Sequence, residues 1–273
     1  MQEVVISAHT DSKTELLDHR GRAFFVRMLP LGMALTLLVG LFGLMDGLLA
    51  ASAPGWSNAS FAAGVVLSIP LLFLAWGLGL NLALGRLAQP STGAVDNGAA
   101  CAVVAGLAER LAEEGGLRQT RVTLALFTGE EANMQGSRAY VGSRAWPLPV
   151  AAVNLELLGQ NGGYVFWERD GTGFRSLPTT AEVNAWLAAA VQQVTGQSPQ
   201  PAAAINSDGA SFLARGIPAA VLGTRDQALG LTGLHRPSDN PKRVDIARLP
   251  EAVEILARLI QQIDRDGLAL PPS

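Results

Sequence analysis

His9 and Asp11 stand two residues apart at the end of an apolar run in VVISAHTDSK. On an extended segment side chains alternate, so residues at this spacing point the same way and can cooperate. A metal-bound imidazole needs its second nitrogen held, and a carboxylate does this well; the plain alternative is structural or surface use of the pair. In FTGEEANMQGSRAY, Glu130 and Glu131 follow a second apolar run. Off a regular strand, neighbours can face one centre, one carboxylate on a metal and the other on its water, although paired glutamates are also common in solvated loops. In GAVDNGAACAVVAGLAERL, Asp96 precedes Asn97 and Gly98 at a helix start. There it can be an N-cap or a bridge between two cations. Glu156 lies among apolar residues in VNLELLG, where a buried carboxylate needs a partner or a metal. His235 sits in TGLHRPSDN, where a loop histidine by itself is usually no more than surface. The chemistry these types could do together is metal-assisted hydrolysis, in which imidazoles and carboxylates hold the ions and a free carboxylate moves a proton.

Apolar strand patterns alternate with helical ones outside residues 23–86. The fold class expected is therefore α/β, a mixed, mostly parallel sheet flanked by helices. VVISA, RVTLALFT, AAVNLELLG, GGYVFWER and AAVLGT read as strands. DNGAACAVVAGLAERLAEE, ANMQGSRAYV, AEVNAWLAAAVQQV, ASFLARG and DIARLPEAVEILARLIQQI read as helices or helical turns, with Pro250 early in the last or kinking it. In such sheets reactive residues gather where strands end in loops at the crevice. His9 and Asp11, Glu130 and Glu131, and Glu156 all fall at strand ends, Asp96 opens a helix, and His235 lies in the loop before the last helix.

The chain has 273 residues with 20 basic and 23 acidic side chains, so nucleic acid is not an expected partner. Its one cysteine, Cys101, excludes an internal disulfide framework and a cysteine-rich zinc site. The apolar residues are unevenly spread, with no charge from Met28 to Met45 or from Gly47 to Gly85. LPLGMALTLLVGLFGLM and FAAGVVLSIPLLFLAWGLGLNLAL each approach the roughly 20 residues that cross a bilayer; buried core helices are the alternative. Arg20, Arg22 and Arg27 precede the first and Arg86 follows the second, while the connector DGLLAASAPGWSNAS has no Lys or Arg. The positive-inside rule then expects an integral membrane protein of two spans, with both chain ends and the catalytic part cytoplasmic. A signal peptide is not expected, because the apolar segment begins too late.

The ordered series SAHTDSK, GAVDNGAA, FTGEEANMQGSRAY, VNLELLG, SDGASFLARGIPAAVL and LHRPSDN resembles the di-zinc aminopeptidases of metallopeptidase family twenty-eight, clan MH, the type of bacterial leucyl aminopeptidase and aminopeptidase Y. The resemblance covers nearly all of the soluble part. It implies a zinc peptidase domain over 1–22 and 87–273, interrupted by a transmembrane hairpin over 23–86. It implies two co-catalytic zinc ions, with His9 and Glu156 on one, Glu131 and His235 on the other, and Asp96 bridging both. Glu130 would be the general base and Asp11 would orient His9. The activity implied is removal of N-terminal residues from peptides or proteins by a hydroxide held on the metal. The insertion leaves the domain between His9 and Asp96, at the crevice end of the sheet, so the site is expected to face the bilayer, where hydrophobic peptides arrive.

Three features depart from the pattern. Ser207-Asp208-Gly209 stands for the usual Ser-Asp-His, Glu156 stands where many members have Asp, and the elements that family domains carry ahead of the H-x-D strand do not precede it here, which implies a missing N-terminal portion. Similar folds also serve as glutaminyl cyclases with one zinc, and a non-catalytic membrane scaffold is the remaining alternative.

Overall fold

The computed structural model describes residues 1–17, 19–172, 175–226 and 228–268, with the side chains of residues 19, 20, 78, 82 and 86 outside that description. Arg20 and Arg86, two of the basic flanks behind the expected orientation, are among the latter. The strands are β1 (Gln2–His9), β2 (Thr120–Phe127), β3 (Val150–Glu156), β4 (Gly163–Trp167), β5 (Arg169–Asp170), β6 (Leu177–Pro178), β7 (Gln200–Ala202) and β8 (Ala219–Arg225). The helices are α1 (His19–Arg27), α2 (Leu29–Leu49), α3 (Pro54–Leu84), α4 (Ala99–Glu114), α5 (Gln135–Ser143), α6 (Ala181–Thr195), α7 (Gly209–Leu213) and α8 (Leu249–Asp266). They fall into two compact units, one of Met1–Lys13, Ser91–Gly230 and Pro237–Ser273, the other of Thr14–Pro90 and Leu231–Arg236.

The first unit is built on a six-stranded sheet in the order β2-β1-β3-β8-β4-β7. β2, β1, β3 and β8 run parallel, whereas β4 is antiparallel to β8 and parallel to β7. The sheet is thus mixed and mostly parallel, as the alternation of apolar runs and helical patterns predicts. Parallel strands covered on both faces need unbroken apolar runs, and every residue of β1 and β3 is buried. The charge in β1, Glu3, is 1% exposed and is compensated by Arg121 and Arg144, each 3.0 Å away.

Period-2 alternation sorts the side chains into two cores. Val4, Ile6 and Ala8 with Leu155 and Leu222 pack under α4, α6 and α8, while Val5, Phe127 and Ala152 pack under α5 and α7 with Phe212. Helix α8 supplies Ile255, Leu256, Leu259, Ile260 and Ile263 at helical spacing, all buried. Pro250 sits in its first turn, where the missing N–H costs nothing. Leu256→Ala, at 0% exposure, is expected to lower unfolding free energy by about 2–5 kcal/mol; denaturant unfolding in detergent checks this.

In the second unit α2 and α3 pair along their length. Both are long and apolar enough to cross a membrane, and almost nothing of their apolar stretches is buried. Large side chains such as Leu37, Leu48, Ile69 and Trp76 are exposed. The expected connector shrinks to residues 50–53, because Asp46 to Leu49 continue α2 and Pro54 starts α3. At the tip Ser57 Oγ donates to Asp46 Oδ1, the one charge within the two helices.

Candidate metal centre

His9 ends β1 and Glu156 ends β3, and a parallel register pairs Ser7 with Asn154 two residues earlier. Paired residues of parallel strands share a face, so the two ends present His9 and Glu156 side by side, both buried. The His9 ring is held by an Nδ1 hydrogen bond of 2.9 Å to the main-chain carbonyl of Asp11. A carbonyl only accepts, so Nδ1 carries a proton, and the Nε2 lone pair, once free of its own proton, faces inward. Nε2 lies 3.2 Å from Asp96 Oδ1, 3.5 Å from Glu156 Oε2 and 4.0 Å from Glu130 Oε2.

Three carboxylates around one nitrogen lone pair repel one another unless a proton or a cation stands among them. Burial alone would lower the imidazole pKa, but Glu156 and Asp96 hold it far above its ordinary value. Burial, then the neighbouring Glu156, pushes Glu130 up to about 9, and burial pushes Glu156 up to about 7. Ligand atoms of His9, Asp96 and Glu156 all lie within 4.8 Å of one another. An imidazole nitrogen with carboxylate oxygens is a donor set that zinc accepts, and a dication there would relieve the crowding, so the residues present fit the metal.

The other predicted residues are placed by loops. Glu130 and Glu131 follow β2 in a loop whose left-handed Gly129 is joined to the start of α5 by Gln135 N donating to Gly129 O at 2.8 Å. A Cβ on Gly136 would stand 2.3 Å from Thr128 O, which is why glycine occupies that close approach. The Asp11 carboxylate spans both glutamate amides, with Oδ1 accepting from Glu130 N and Oδ2 from Glu131 N, each at 3.1 Å. Its Oδ1 is 3.8 Å from His9 Nδ1, so Asp11 touches the ring through its carbonyl and the glutamate loop through its side chain. Lys13 Nζ lies 2.8 Å from Glu131 Oε2. Ahead of α4 the chain makes a wide turn, Ala94–Gly98, with Asp96 buried in it and the Asp96–Asn97 peptide cis.

His235 belongs to the second unit, where its Nδ1 is 3.5 Å from Glu15 Oε1 and its carbonyl accepts from Glu15 N at 2.9 Å. Within the first unit the structure therefore brings together His9, Asp96, Glu130 and Glu156, with Asp11 and Glu131 beside them.

Several supporting residues escape sequence reasoning. Asn154 Nδ2 donates to Glu156 Oε1 at 3.1 Å, Asn97 Nδ2 to Glu156 Oε2 at 3.3 Å, and Ser7 Oγ to Asn154 Oδ1 at 2.8 Å. The signal for Asn154 is its place two residues before Glu156 on an otherwise apolar strand, hence on the same face. Asp239, 0% exposed, accepts from the amides of Val95 and Asp96, and nothing local marks it. The Ser207-Asp208-Gly209 departure also has a physical basis. A Cβ at Gly209 would stand 2.6 Å from Asp170 Oδ2 and 3.1 Å from Val221 Cγ2, so this arrangement has no room for a histidine. Asp208 is buried, and burial pushes its carboxyl up to about 6.

Residues 80–260 match the model of peptidase family M28. No curated protein matches the chain in sequence. Among solved structures, an aminopeptidase from Aneurinibacillus sp. strain AM-1 superposes with TM-score 0.57 at 17% identity, covering 96% of this chain and 43% of its own. BSAP, a zinc aminopeptidase from Bacillus subtilis, gives 0.57 at 15%, covering 96% and 46%. A glutaminyl cyclase from Fimbriiglobus ruber gives 0.55 at 14%, covering 95% and 70%. The chain thus spans less than half the length of these two aminopeptidases, and at such identities the likeness is one of fold.

Proposed function

The chain belongs to peptidase family M28, and from that membership we propose that it is a membrane-anchored zinc exopeptidase, an aminopeptidase that hydrolyses N-terminal peptide bonds. The observation that carries this reading is the convergence of His9 Nε2, Asp96 and Glu156 with Glu130 at 4.0 Å. His9, Asp96 and Glu156 would hold one ion; the family pattern assigns the other to Asp96, Glu131 and His235. Zinc, when bound, lowers the pKa of water to roughly 7 and polarises the carbonyl to be attacked. Glu130, not consumed as a ligand, takes the water proton and passes it to the leaving amine. The Asp11 clamp on the amides of Glu130 and Glu131 keeps base and ligand in fixed relation, which matters because displacements of about 1 Å cost large factors in rate. Helices α2 and α3 would anchor the chain with both ends in the cytoplasm, the Arg-free connector facing outward.

Elemental analysis of the detergent-purified chain is expected to give two zinc ions per chain, with release of N-terminal residues from a peptide panel. Absence of zinc from a folded chain would overturn the reading. A second reading, glutaminyl cyclisation, is favoured by the cyclase neighbour, whose own chain is covered to 70%. One zinc per chain, with a cyclised product from glutamine-terminated peptides and no release of residues, would select it instead.

A further inference from the structure

Asp239 lies four residues beyond His235 in the LHRPSDN stretch. It is 0% exposed, a position that a carboxylate holds only with partners. Its partners are main-chain groups of the turn that carries Asp96. Oδ1 accepts from Val95 N at 2.7 Å and Oδ2 from Asp96 N at 3.3 Å. Its own carbonyl accepts from Thr92 Oγ1 at 2.8 Å and Thr92 N at 3.3 Å. The turn therefore hangs from Asp239 at three residues, Thr92, Val95 and Asp96.

The turn needs such a tether. Asp96 and Asn97 have non-helical dihedrals between Ala94 and the start of α4, so no regular ladder fixes them. Gly93 ahead of them is left-handed, and a Cβ there would meet Ser12 Cβ at 2.6 Å and Asp96 O at 2.7 Å. Asp96 must nevertheless place its carboxylate within a few tenths of an ångström to serve as an ion ligand. The same device recurs across the site, where the Asp11 carboxylate spans the amides of Glu130 and Glu131. A carboxylate can accept from two consecutive amides at once. An asparagine of the same shape offers one acceptor and turns an NH2 against the second amide.

We propose that Asp239 is a positioning residue for metal binding, holding Asp96 in its bridging place through the two amides of Val95 and Asp96. This rests on the reading of Asp96 as an ion ligand. Outer partners of metal ligands typically contribute 10–100-fold in affinity, so Asp239→Asn is expected to weaken zinc binding by about that factor.

The test is zinc titration of the full chain in detergent, after metal removal, against a competing chromophoric chelator. It compares wild type, Asp239→Asn, Thr92→Val and Asp264→Asn. Asp264 makes a clamp of the same kind far along the fold, accepting from Arg118 N at 2.9 Å and Gln119 N at 2.8 Å, so Asp264→Asn controls for general destabilisation. Expected is a loss of about 10–100-fold in zinc affinity for Asp239→Asn, a smaller loss for Thr92→Val, and none for Asp264→Asn. Excess zinc should restore kcat to Asp239→Asn, with KM unmoved. Wild-type affinity in both Asp239→Asn and Thr92→Val would overturn the inference while leaving the metal centre standing, as would an equal loss in Asp264→Asn. Should Asp239→Asn fail to unfold cooperatively, Thr92→Val decides against the same control. A wild-type chain that binds no zinc would overturn the metal centre itself, and this inference with it.

Discussion

Glu130→Gln is expected to keep its full complement of zinc and lose about a hundredfold to ten-thousandfold in kcat, the range a positioned general base contributes. The substitution is nearly isosteric and removes only the ability to accept a proton. The loop should hold, because the Asp11 carboxylate grips main-chain amides of residues 130 and 131, not the side chain. Burial also ceases to be a penalty, since the glutamine carries no charge into a site that crowds carboxylates. The measurement is steady-state turnover on a peptide substrate alongside zinc content by elemental analysis. Near-normal turnover with zinc in place would remove Glu130 from the chemistry, and loss of zinc would make it a ligand.

Asp96→Ala acts on the opposite side of that distinction. Its Oδ1 is 3.2 Å from His9 Nε2, and it belongs to the group of ligand atoms within 4.8 Å that includes Glu156. On the proposed reading Asp96 would serve both ions, so its removal is expected to leave less than one zinc per chain and no measurable turnover. Thermal unfolding separates this from misfolding. A ligand that binds only the folded state stabilises it by about 2.7 kcal/mol at one hundred times its Kd, and the variant should lose that zinc-dependent rise in midpoint. The metal-stripped variant should unfold no lower than metal-stripped wild type, because one of the carboxylates crowding Glu130 and Glu156 is gone. A variant that still binds two zinc ions would sink the bridging role.

The two clamps bear on how such a site is kept in order. His9 and Glu156 stand on strands and inherit precision from sheet register, whereas Asp96, Glu130 and Glu131 stand on turns. In each turn, consecutive amides hang from one aspartate, Asp239 in the first and Asp11 in the second. Backbone tethering of this kind replaces the ladder that an irregular segment lacks.

Much of this molecule is readable from local pattern. Unbroken apolar runs and 3.6-residue periodicity suffice for the strands β1, β2, β3, β4 and β8, the helices α4, α6 and α8, and the two apolar spans, because burial on a strand or a helix face is set by near neighbours in the chain. The short strands β5, β6 and β7 are too brief for any period to show. Likewise α2 and α3 extend beyond the two apolar spans expected, because helix propensity carries α2 through Asp46 and Pro54 opens a helix as readily as it ends one. The candidate site divides in the same manner. That His9, Asp96, Glu130, Glu131 and Glu156 are chemically able side chains at strand and helix ends follows from residue types and spacing alone. That the His9 ring stands beside Glu156 follows from parallel register between segments about 150 residues apart. That Asp239 ties down Asp96 follows from a contact across 143 residues, and that His235 keeps company with Glu15 follows from the fold of the second unit. Sequence determines what each segment can be, since alternation, periodicity and capping are short-range. Only tertiary packing decides which segments meet, since those pairings are selected by the joint burial of surfaces that no single stretch of chain contains.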